Sequence, residues 1–211
     1  MNNIMKHDLV NYGFSSCKLS EDDMTPIINE IDDITKNFHS ASPANSYLIG
    51  NIEKEFLIVK SKDHLEKLVL PLIDHHIKNY DYLDRIAKNF PAHTQMCLQN
   101  AWVNFQSKHE FNPCHDHDGI FSFVIWTHIP YDMATEKNNA PGRDSRHNLA
   151  GAFEFLYTNI LGEIFTHSIH VDKSVENVLI LFPSKLRHCV YPFYTSDDYR
   201  ISVSGNFILK N

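Results

Sequence analysis

The most regular alternation of polar and apolar residues in the sequence is the stretch Tyr199-Arg200-Ile201-Ser202-Val203-Ser204-Gly205-Asn206. Successive side chains of a β-strand point to opposite faces, so every second residue from Arg200 to Asn206 gives this strand one polar face. A polar face ordinarily lies in solvent, and that interpretation would expose Arg200. The alternative is a barrel with the polar face inside, where the guanidinium of Arg200 is a two-pronged hydrogen-bond donor for a carboxylate.

The same period of two extends over the second half of the chain and predicts a β-rich fold. Strands are expected at residues 95–106, 120–129, 151–158, 164–171, 178–182 and 199–209. Apolar residues at three- and four-residue steps predict one helix behind Ser20 and a second from about Asp63, with a kink or a boundary at Pro71. We therefore expect an α+β protein, a barrel or jelly roll with N-terminal helices packed on its outside.

The chain length of 211 residues suits one compact domain. Within it we expect residues 1–93 to form a helical and short-strand support region, and residues 94–211 to form the barrel core. The polar segment 131–148 separates two predicted strands and contains Pro141-Gly142. A segment of this length between core strands is expected to be a loop that covers the substrate.

The composition excludes several classes of protein. The net charge is −7, from 19 basic and 26 acidic residues, and no dense Lys/Arg run occurs, so the composition disfavours nucleic acid as a partner. No apolar run is long enough to span a membrane, and the first residues lack the apolar region of a secretory signal. The four cysteines form no C-x-x-C pair and are expected to be reduced thiols. These features favour a cytoplasmic protein.

Two segments concentrate histidine, of which the chain has 14. The first is Asn112-Pro113-Cys114-His115-Asp116-His117-Asp118-Gly119, directly before a predicted strand. Alternation would place His115 and His117 on one face, where both can bind the same ion. The alternative is an ordinary polar turn. The second segment delivers His188 shortly after the predicted strand 178–182.

Taken together, these pieces resemble the Fe(II)- and 2-oxoglutarate-dependent oxygenases, in particular the prolyl-hydroxylase-like oxygenases of bacteria and phages. The resemblance covers roughly residues 99–206. The matching pieces are Trp102-Val103-Asn104, Asn112-Pro113-x-His115-x-His117, Ser122-Phe123-Val124, Phe182-Pro183-Ser184, His188, and Arg200-x-Ser202-x-Ser204-Gly205-Asn206. Each piece alone is weak, but their order and spacing together are fairly specific.

The resemblance implies a double-stranded β-helix, which is a cupin-like jelly roll, with Fe(II), 2-oxoglutarate and O2 as cofactor and co-substrates. It makes His115 the first metal ligand and His188 the distal ligand, with Arg200 and Ser202 holding the far carboxylate of 2-oxoglutarate. Tyr157 is a further candidate for that carboxylate. Asn104 is a candidate for the co-substrate site or for steadying an imidazole, although an ordinary ladder hydrogen bond explains it equally well.

One position departs from the family pattern, because His117 stands where the oxygenases usually have a carboxylate. Three explanations stay open: His117 is itself a ligand, Asp116 or Asp118 supplies an oxygen, or the site is degenerate. A neutral third ligand would leave the ion one charge more positive and strengthen its hold on anionic 2-oxoglutarate.

The function that the resemblance implies is a dioxygenase that hydroxylates a prolyl or other amino-acid residue, in a peptidyl or small-molecule substrate. Its location would be the cytoplasm, or the host cytoplasm if the chain is phage-encoded. Two alternatives remain. One is a non-catalytic, cupin-like metal-binding structural protein, and the other is a three-histidine iron dioxygenase that does not use 2-oxoglutarate. The sequence does not indicate the oligomeric state.

Overall fold

The computed structural model describes residue 5 and residues 11–83 and 94–210. The first helix, α1 (Glu21–Lys36), begins at a capping box in which Ser20 Oγ accepts a hydrogen bond from the amide of Asp23 and Asp23 Oδ2 accepts one from the amide of Ser20. None of the helices in these residues is long and apolar enough to span a membrane.

The second helix, α2 (Lys62–Tyr80), does not end at Pro71, where the sequence predicted a kink or a boundary. Pro71 lies on the exposed face of α2. The carbonyl that loses its N–H partner there can therefore bind water, which makes the proline tolerable. A third, short helix, α3 (Met133–Asn139), lies in the segment that was expected to be a loop.

Ten strands form the β-structure of the described residues. Their bounds are β1 (Ser15–Lys18), β2 (Lys54–Leu57), β3 (Gln95–Gln106), β4 (Asn112–His115), β5 (Phe121–His128), β6 (Ala152–Thr158), β7 (Ile164–His170), β8 (Val178–Pro183), β9 (Arg187–Val190) and β10 (Arg200–Lys210). The long strands agree with the predicted ranges to within one or two residues. The sequence did not predict the four-residue strands β1, β4 and β9, because none of them contains a continuous apolar run.

The strands form two antiparallel sheets. The major sheet has the order β1-β8-β5-β10-β3-β2, and the minor sheet has the order β4-β9-β6-β7. Strand β10 lies between β5 and β3, and its register with β3 pairs Arg200 with Gln106 and Ser202 with Asn104. This register decides which side chains meet inside the barrel.

Each face of the major sheet packs against a different layer. One face buries Val103, Ile125 and Val203 in the same cluster as Ile27 of α1 and Val69 of α2. The other face buries side chains of β5 and β8 against Phe153 and Phe155 of the minor sheet. The protein is thus the expected α+β jelly roll, with its helices on the outside and the functional residues between the sheets.

The N-terminal part of the chain also contributes to the major sheet, because β1 pairs with β8 and β2 pairs with β3. The expected boundary between residues 93 and 94 borders residues 84–93, which lie outside the described residues.

Candidate metal centre

Three imidazoles meet between the two sheets. His115 ends β4, His188 lies on β9, and the two residues face each other as a cross-strand pair. His117 follows two residues later, and its backbone amide donates a hydrogen bond to the carbonyl of Ser184 at 2.9 Å. Within the described residues, these three form a group whose ligand atoms all lie within 4.8 Å of one another. The structure therefore brings together all three histidines that the sequence singled out.

Backbone carbonyls orient two of the rings. Nδ1 of His115 lies 2.7 Å from the carbonyl oxygen of Pro113, and Nδ1 of His188 lies 3.0 Å from that of Leu186. A carbonyl can only accept, so each Nδ1 carries the proton and each Nε2 keeps its lone pair. This arrangement fixes the tautomer that a metal-ligating histidine needs.

An apolar environment keeps the imidazoles neutral. The ring of His188 stacks on Phe153 at 5.2 Å and meets the edge of Phe182 at 5.0 Å between ring centroids. Burial lowers the pKa of His188 well below its usual value and lowers that of His115. Burial, reinforced by the nearby His115, lowers the pKa of His117 to about 4. All three rings are therefore unprotonated at neutral pH.

The donor set fits a divalent metal ion. Nε2 of His117 and Nε2 of His188 lie 3.2 Å apart, where the two nitrogens can share either one proton or one cation. Neutral imidazole is a good ligand for Fe(II), and three protein ligands leave further coordination positions for other molecules. The residues present would thus hold an iron ion through His115, His117 and His188.

The two aspartates that could have supplied a carboxylate ligand lie on the surface instead. Asp116 Oδ1 pairs with Lys185 Nζ at 3.1 Å, and its Oδ2 lies 3.9 Å from Nη1 of Arg187. The side chain of Asp118 is fully exposed and lies 3.6 Å from the same lysine. The hydrogen bond from Lys185 lowers the pKa of Asp116, which stays ionised as a surface partner.

The histidines line a cavity with one apolar and one polar wall. The apolar wall includes Phe153 and Phe182. The polar wall comes from the inward faces of β3 and β10 and consists of Asn104, Gln106, Ser202 and Ser204. Asn104 Nδ2 donates to Ser202 Oγ at 3.1 Å. Two of the predicted co-substrate residues, Asn104 and Ser202, therefore lie in the same cavity as the histidines.

Arg200 lies inside the barrel with 1% of its surface exposed, but it does not line the cavity. All five of its N–H donors have partners in the chain. Nη1 donates to Tyr131 Oη and to the carbonyl of Gly151, both at 2.8 Å, and Nη2 donates to the carbonyl of Tyr191 at 2.9 Å. Nε and the second Nη2 hydrogen both donate to Gln106 Oε1, at 3.1 and 2.7 Å.

The structure places Tyr157 outside the histidine cavity, so the expectation that its hydroxyl reaches the co-substrate is not met. It shares a strand face with Phe153 and Phe155, but β6 continues past the end of the cavity. Tyr157 is 36% exposed and lines a different, apolar pocket with Phe14 and His167. The alternation of side chains predicted correctly which face of β6 carries Tyr157, but it did not predict that the residue lies beyond the end of the cavity.

Three residues near the site were not singled out from the sequence. Gln106 and Tyr131 bind Arg200, and Glu55 is the cross-strand partner of Asn104. Glu55 is 3% exposed, its Oε1 has no hydrogen-bond partner, and burial raises its pKa to about 7, with a smaller contribution from Glu110. Of these three residues, only Gln106 could have been selected from the sequence, because it continues the alternation of Trp102 and Asn104 along β3.

Comparisons with known proteins agree with this geometry. Residues 100–206, half of the chain, match the family described as "Putative 2OG-Fe(II) oxygenase". No curated protein matches the sequence. A prolyl-4-hydroxylase from Pseudomonas putida is similar in structure, with a TM-score of 0.57 and 13% identity over 95% of this chain and 94% of that one.

A second similar structure is a prolyl hydroxylase from Trichoplax adhaerens in complex with a hypoxia inducible factor oxygen degradation domain peptide fragment. Its TM-score is 0.52, with 13% identity over 93% of this chain and 84% of that one. At such low identity the structural likeness shows the jelly-roll fold, whereas the sequence match covers the histidines and Arg200. The chain therefore belongs to the 2OG-Fe(II) oxygenase family of enzymes.

Proposed function

We propose that this protein is an Fe(II)- and 2-oxoglutarate-dependent dioxygenase that hydroxylates a prolyl or other amino-acid residue. The observation that carries the proposal is the convergence of three neutral imidazoles in a cavity that polar side chains of β3 and β10 also line. Iron bound there would supply the redox chemistry, in which decarboxylation of 2-oxoglutarate to succinate is coupled to transfer of one oxygen atom of O2 to a C–H bond.

The chain's own residues would bind and orient the reactants. The carbonyls of Pro113 and Leu186 hold the rings of His115 and His188 in the ligating tautomer. Phe153 and Phe182 exclude water beside His188, and water exclusion strengthens the electrostatic interactions of the site. The linked side chains of Asn104 and Ser202 offer hydrogen bonds to the co-substrate from the polar wall.

We assign the far carboxylate of 2-oxoglutarate to Arg200. Its place on β10 supports this assignment, since Ser202 and Ser204 of the same strand face line the cavity. A buried guanidinium with a planar fork of donors is the side chain best suited to a carboxylate. Binding requires an exchange of hydrogen bonds, because the fork already has partners in the chain.

A peptidyl substrate is supported by one of the similar structures, which holds a peptide fragment. The net charge of −7 disfavours a nucleic acid. The cysteines Cys17, Cys97, Cys114 and Cys189 are all free, which supports a reducing compartment such as the cytoplasm. Such a compartment would also keep iron ferrous.

Anaerobic loading with Fe(II), followed by 2-oxoglutarate, tests the proposal. Chelation of the metal by the oxoacid should produce a weak visible charge-transfer band, and admission of O2 should then release succinate. The His188→Ala variant is the control and should show neither signal. Iron-loaded wild-type protein that never develops the band would contradict the use of 2-oxoglutarate.

One observation favours a second candidate, a three-histidine iron dioxygenase that does not use 2-oxoglutarate. All five N–H donors of Arg200 have acceptors within the chain, so the guanidinium needs no co-substrate to satisfy its hydrogen bonds. This candidate predicts O2 consumption that depends on a substrate and on iron but releases no succinate. The same experiment therefore separates the two candidates.

A further inference from the structure

The hydrogen bonds of Arg200 fall into two groups that differ in what can replace them. Both Nη1 hydrogens and one Nη2 hydrogen bind Tyr131, Gly151 and Tyr191. The remaining two, on Nε and Nη2, point the same way, and both bind Oε1 of Gln106. The Nε–Nη2 edge of a guanidinium is one that a carboxylate can bind with two parallel hydrogen bonds. One amide oxygen thus occupies this edge.

Gln106 is also the group that separates this edge from the histidine cavity. It lines the cavity, whereas Arg200, its direct cross-strand partner, does not. Its own Nε2 donates to the carbonyl of Glu110 at 2.6 Å, which holds the amide with its oxygen towards the guanidinium. A carboxylate that approaches Arg200 from the cavity therefore meets Gln106 first.

Three hydrogen bonds would keep the guanidinium in place if Gln106 left. Tyr131 is itself fixed, because its ring stacks on Phe193 at 5.0 Å and Phe193 lies 5.6 Å below the guanidinium carbon. The arginine is consequently a fixed donor and the glutamine is the part that can move. A side-chain amide is neutral and accepts with one oxygen, so a two-oxygen anion is the stronger partner.

We propose that Gln106 occupies the carboxylate-binding edge of Arg200 until a dicarboxylic oxoacid displaces it, and that this competition sets the affinity for the co-substrate. The inference rests on the proposed function and deepens it. It makes Gln106 a residue that determines co-substrate affinity, and it explains how a fully bonded arginine can still bind a ligand. It also predicts that oxoacids without a distal carboxylate are insensitive to residue 106.

The test compares two oxoacids on protein loaded anaerobically with Fe(II). 2-Oxoglutarate has a distal carboxylate and pyruvate has none, although both present the same keto-acid group to the metal. Their dissociation constants are measured by calorimetry, and the shift in melting temperature is a second readout. In Gln106→Ala the competitor is gone, and 2-oxoglutarate should bind about 10-fold more tightly. In Gln106→Glu a carboxylate occupies the edge permanently, and 2-oxoglutarate should bind at least roughly 100-fold more weakly.

Pyruvate should bind wild type and both variants equally, which also shows that the variants fold. Gln106→Met, of similar length and without an acceptor, replaces Gln106→Ala if the smaller side chain destabilises the barrel. Gln99→Glu makes the same chemical change as Gln106→Glu at an exposed position of β3. It should change neither the affinity for 2-oxoglutarate nor the affinity for pyruvate.

Two results would overturn the inference alone: wild-type affinity for 2-oxoglutarate in Gln106→Glu, or weaker binding in Gln106→Ala, which would make Gln106 a direct ligand. Failure of the wild type to bind either oxoacid would instead overturn the proposed function, and this inference with it.

Discussion

Two ends of the barrel differ in how their buried polar groups are hydrogen-bonded: the histidine end, with His115, His117 and His188, and the arginine end, with Arg200. At the histidine end, Nε2 of His117 and Nε2 of His188 lie 3.2 Å apart, and the proton that they can share is replaceable by a cation. At the arginine end, every donor of Arg200 has an acceptor in the chain. The first end can bind a cation without losing a hydrogen bond to the backbone, whereas the second must give up hydrogen bonds within the chain when a ligand binds.

The difference arises because a buried histidine can be neutral, whereas a buried arginine stays charged. Burial lowers the pKa of His188, so this residue stays neutral and its Nε2 can accept a cation without the loss of the hydrogen bond between Nδ1 and the Leu186 carbonyl. A guanidinium cannot lose its proton in a protein, so folding must surround it with acceptors. A buried arginine that binds a ligand must therefore exchange hydrogen-bond acceptors, whereas a buried neutral histidine binds an ion through the lone pair of its Nε2.

The largest effect is expected at the histidine end. His188→Ala removes one of three ligands and should weaken Fe(II) binding by roughly 1,000-fold, because the two remaining imidazoles cannot enclose the ion. Anaerobic titration with Fe(II) measures the affinity. His167→Ala, at an exposed position of β7, is the matched control and should bind iron like the wild type. Equal affinity in both variants would remove His188 from the metal site.

Glu55 is a buried acid near the site whose charge depends on the pH. Its pKa is raised to about 7 from 4.5, so the native state holds its proton more tightly than the unfolded state. This contribution to stability is full below about pH 4.5 and is lost as the pH rises to about 7. Between pH 5 and 7.5 the free energy of unfolding of the wild type should fall by about 2 kcal/mol relative to Glu55→Gln. Urea unfolding at both values measures it, and parallel pH profiles would contradict the assignment.

Tyr131→Phe tests whether the stability of the protein depends on an acceptor for every N–H of Arg200. The substitution leaves one Nη1 hydrogen of a buried guanidinium without its acceptor and should reduce the free energy of unfolding by about 1–2 kcal/mol. Tyr157→Phe removes a hydroxyl at the half-exposed end of β6 and should change it by less than about 0.5 kcal/mol. If the two variants unfold alike, the hydroxyl of Tyr131 does not stabilise Arg200.

His117→Asp replaces the neutral third ligand with the carboxylate that the family usually has at this position. Iron should still bind, but the ion would carry one positive charge less towards the anionic co-substrate. We expect the affinity for 2-oxoglutarate to fall by about 10-fold, of the order of one charge-assisted interaction. Calorimetry on the iron-loaded variant measures it, and tighter binding of 2-oxoglutarate would contradict the charge argument.

The smallest effect is expected from Asp116→Asn and Asp118→Asn. Both aspartates pair with Lys185 on the surface, and such pairs contribute little to stability. Iron affinity should therefore change by less than about twofold. A large loss in either variant would show that a carboxylate, and not His117, completes the ligand set.

Long strands and compact motifs were predictable from the sequence. Strand β3 has the predicted bounds of 95–106 because twelve residues suffice to show a period. The three histidines were predicted because each lies next to a strand or a turn in the order that the family motif requires. The four-residue strands β1, β4 and β9 were not predictable, since they form only when a neighbouring strand pairs with them.

What the sequence could not supply is the register between strands and the depth of each residue along them. Gln106 faces Arg200 only because β3 and β10 pair at that register. Tyr157 shares a face with Phe153 but lies beyond the cavity. The partners of Arg200 come from four separate segments of the chain, and no spacing in the sequence relates them.

A crystal structure of the protein with Fe(II) and 2-oxoglutarate, grown without oxygen and measured at the iron absorption edge, would show which side chains bind the ion. We expect one anomalous peak roughly 2.0–2.2 Å from Nε2 of His115, His117 and His188, with the oxoacid on the cavity side of the ion. An iron ion bound by Asp116 or Asp118, or a His188 ring outside bonding distance of the ion, would contradict this expectation.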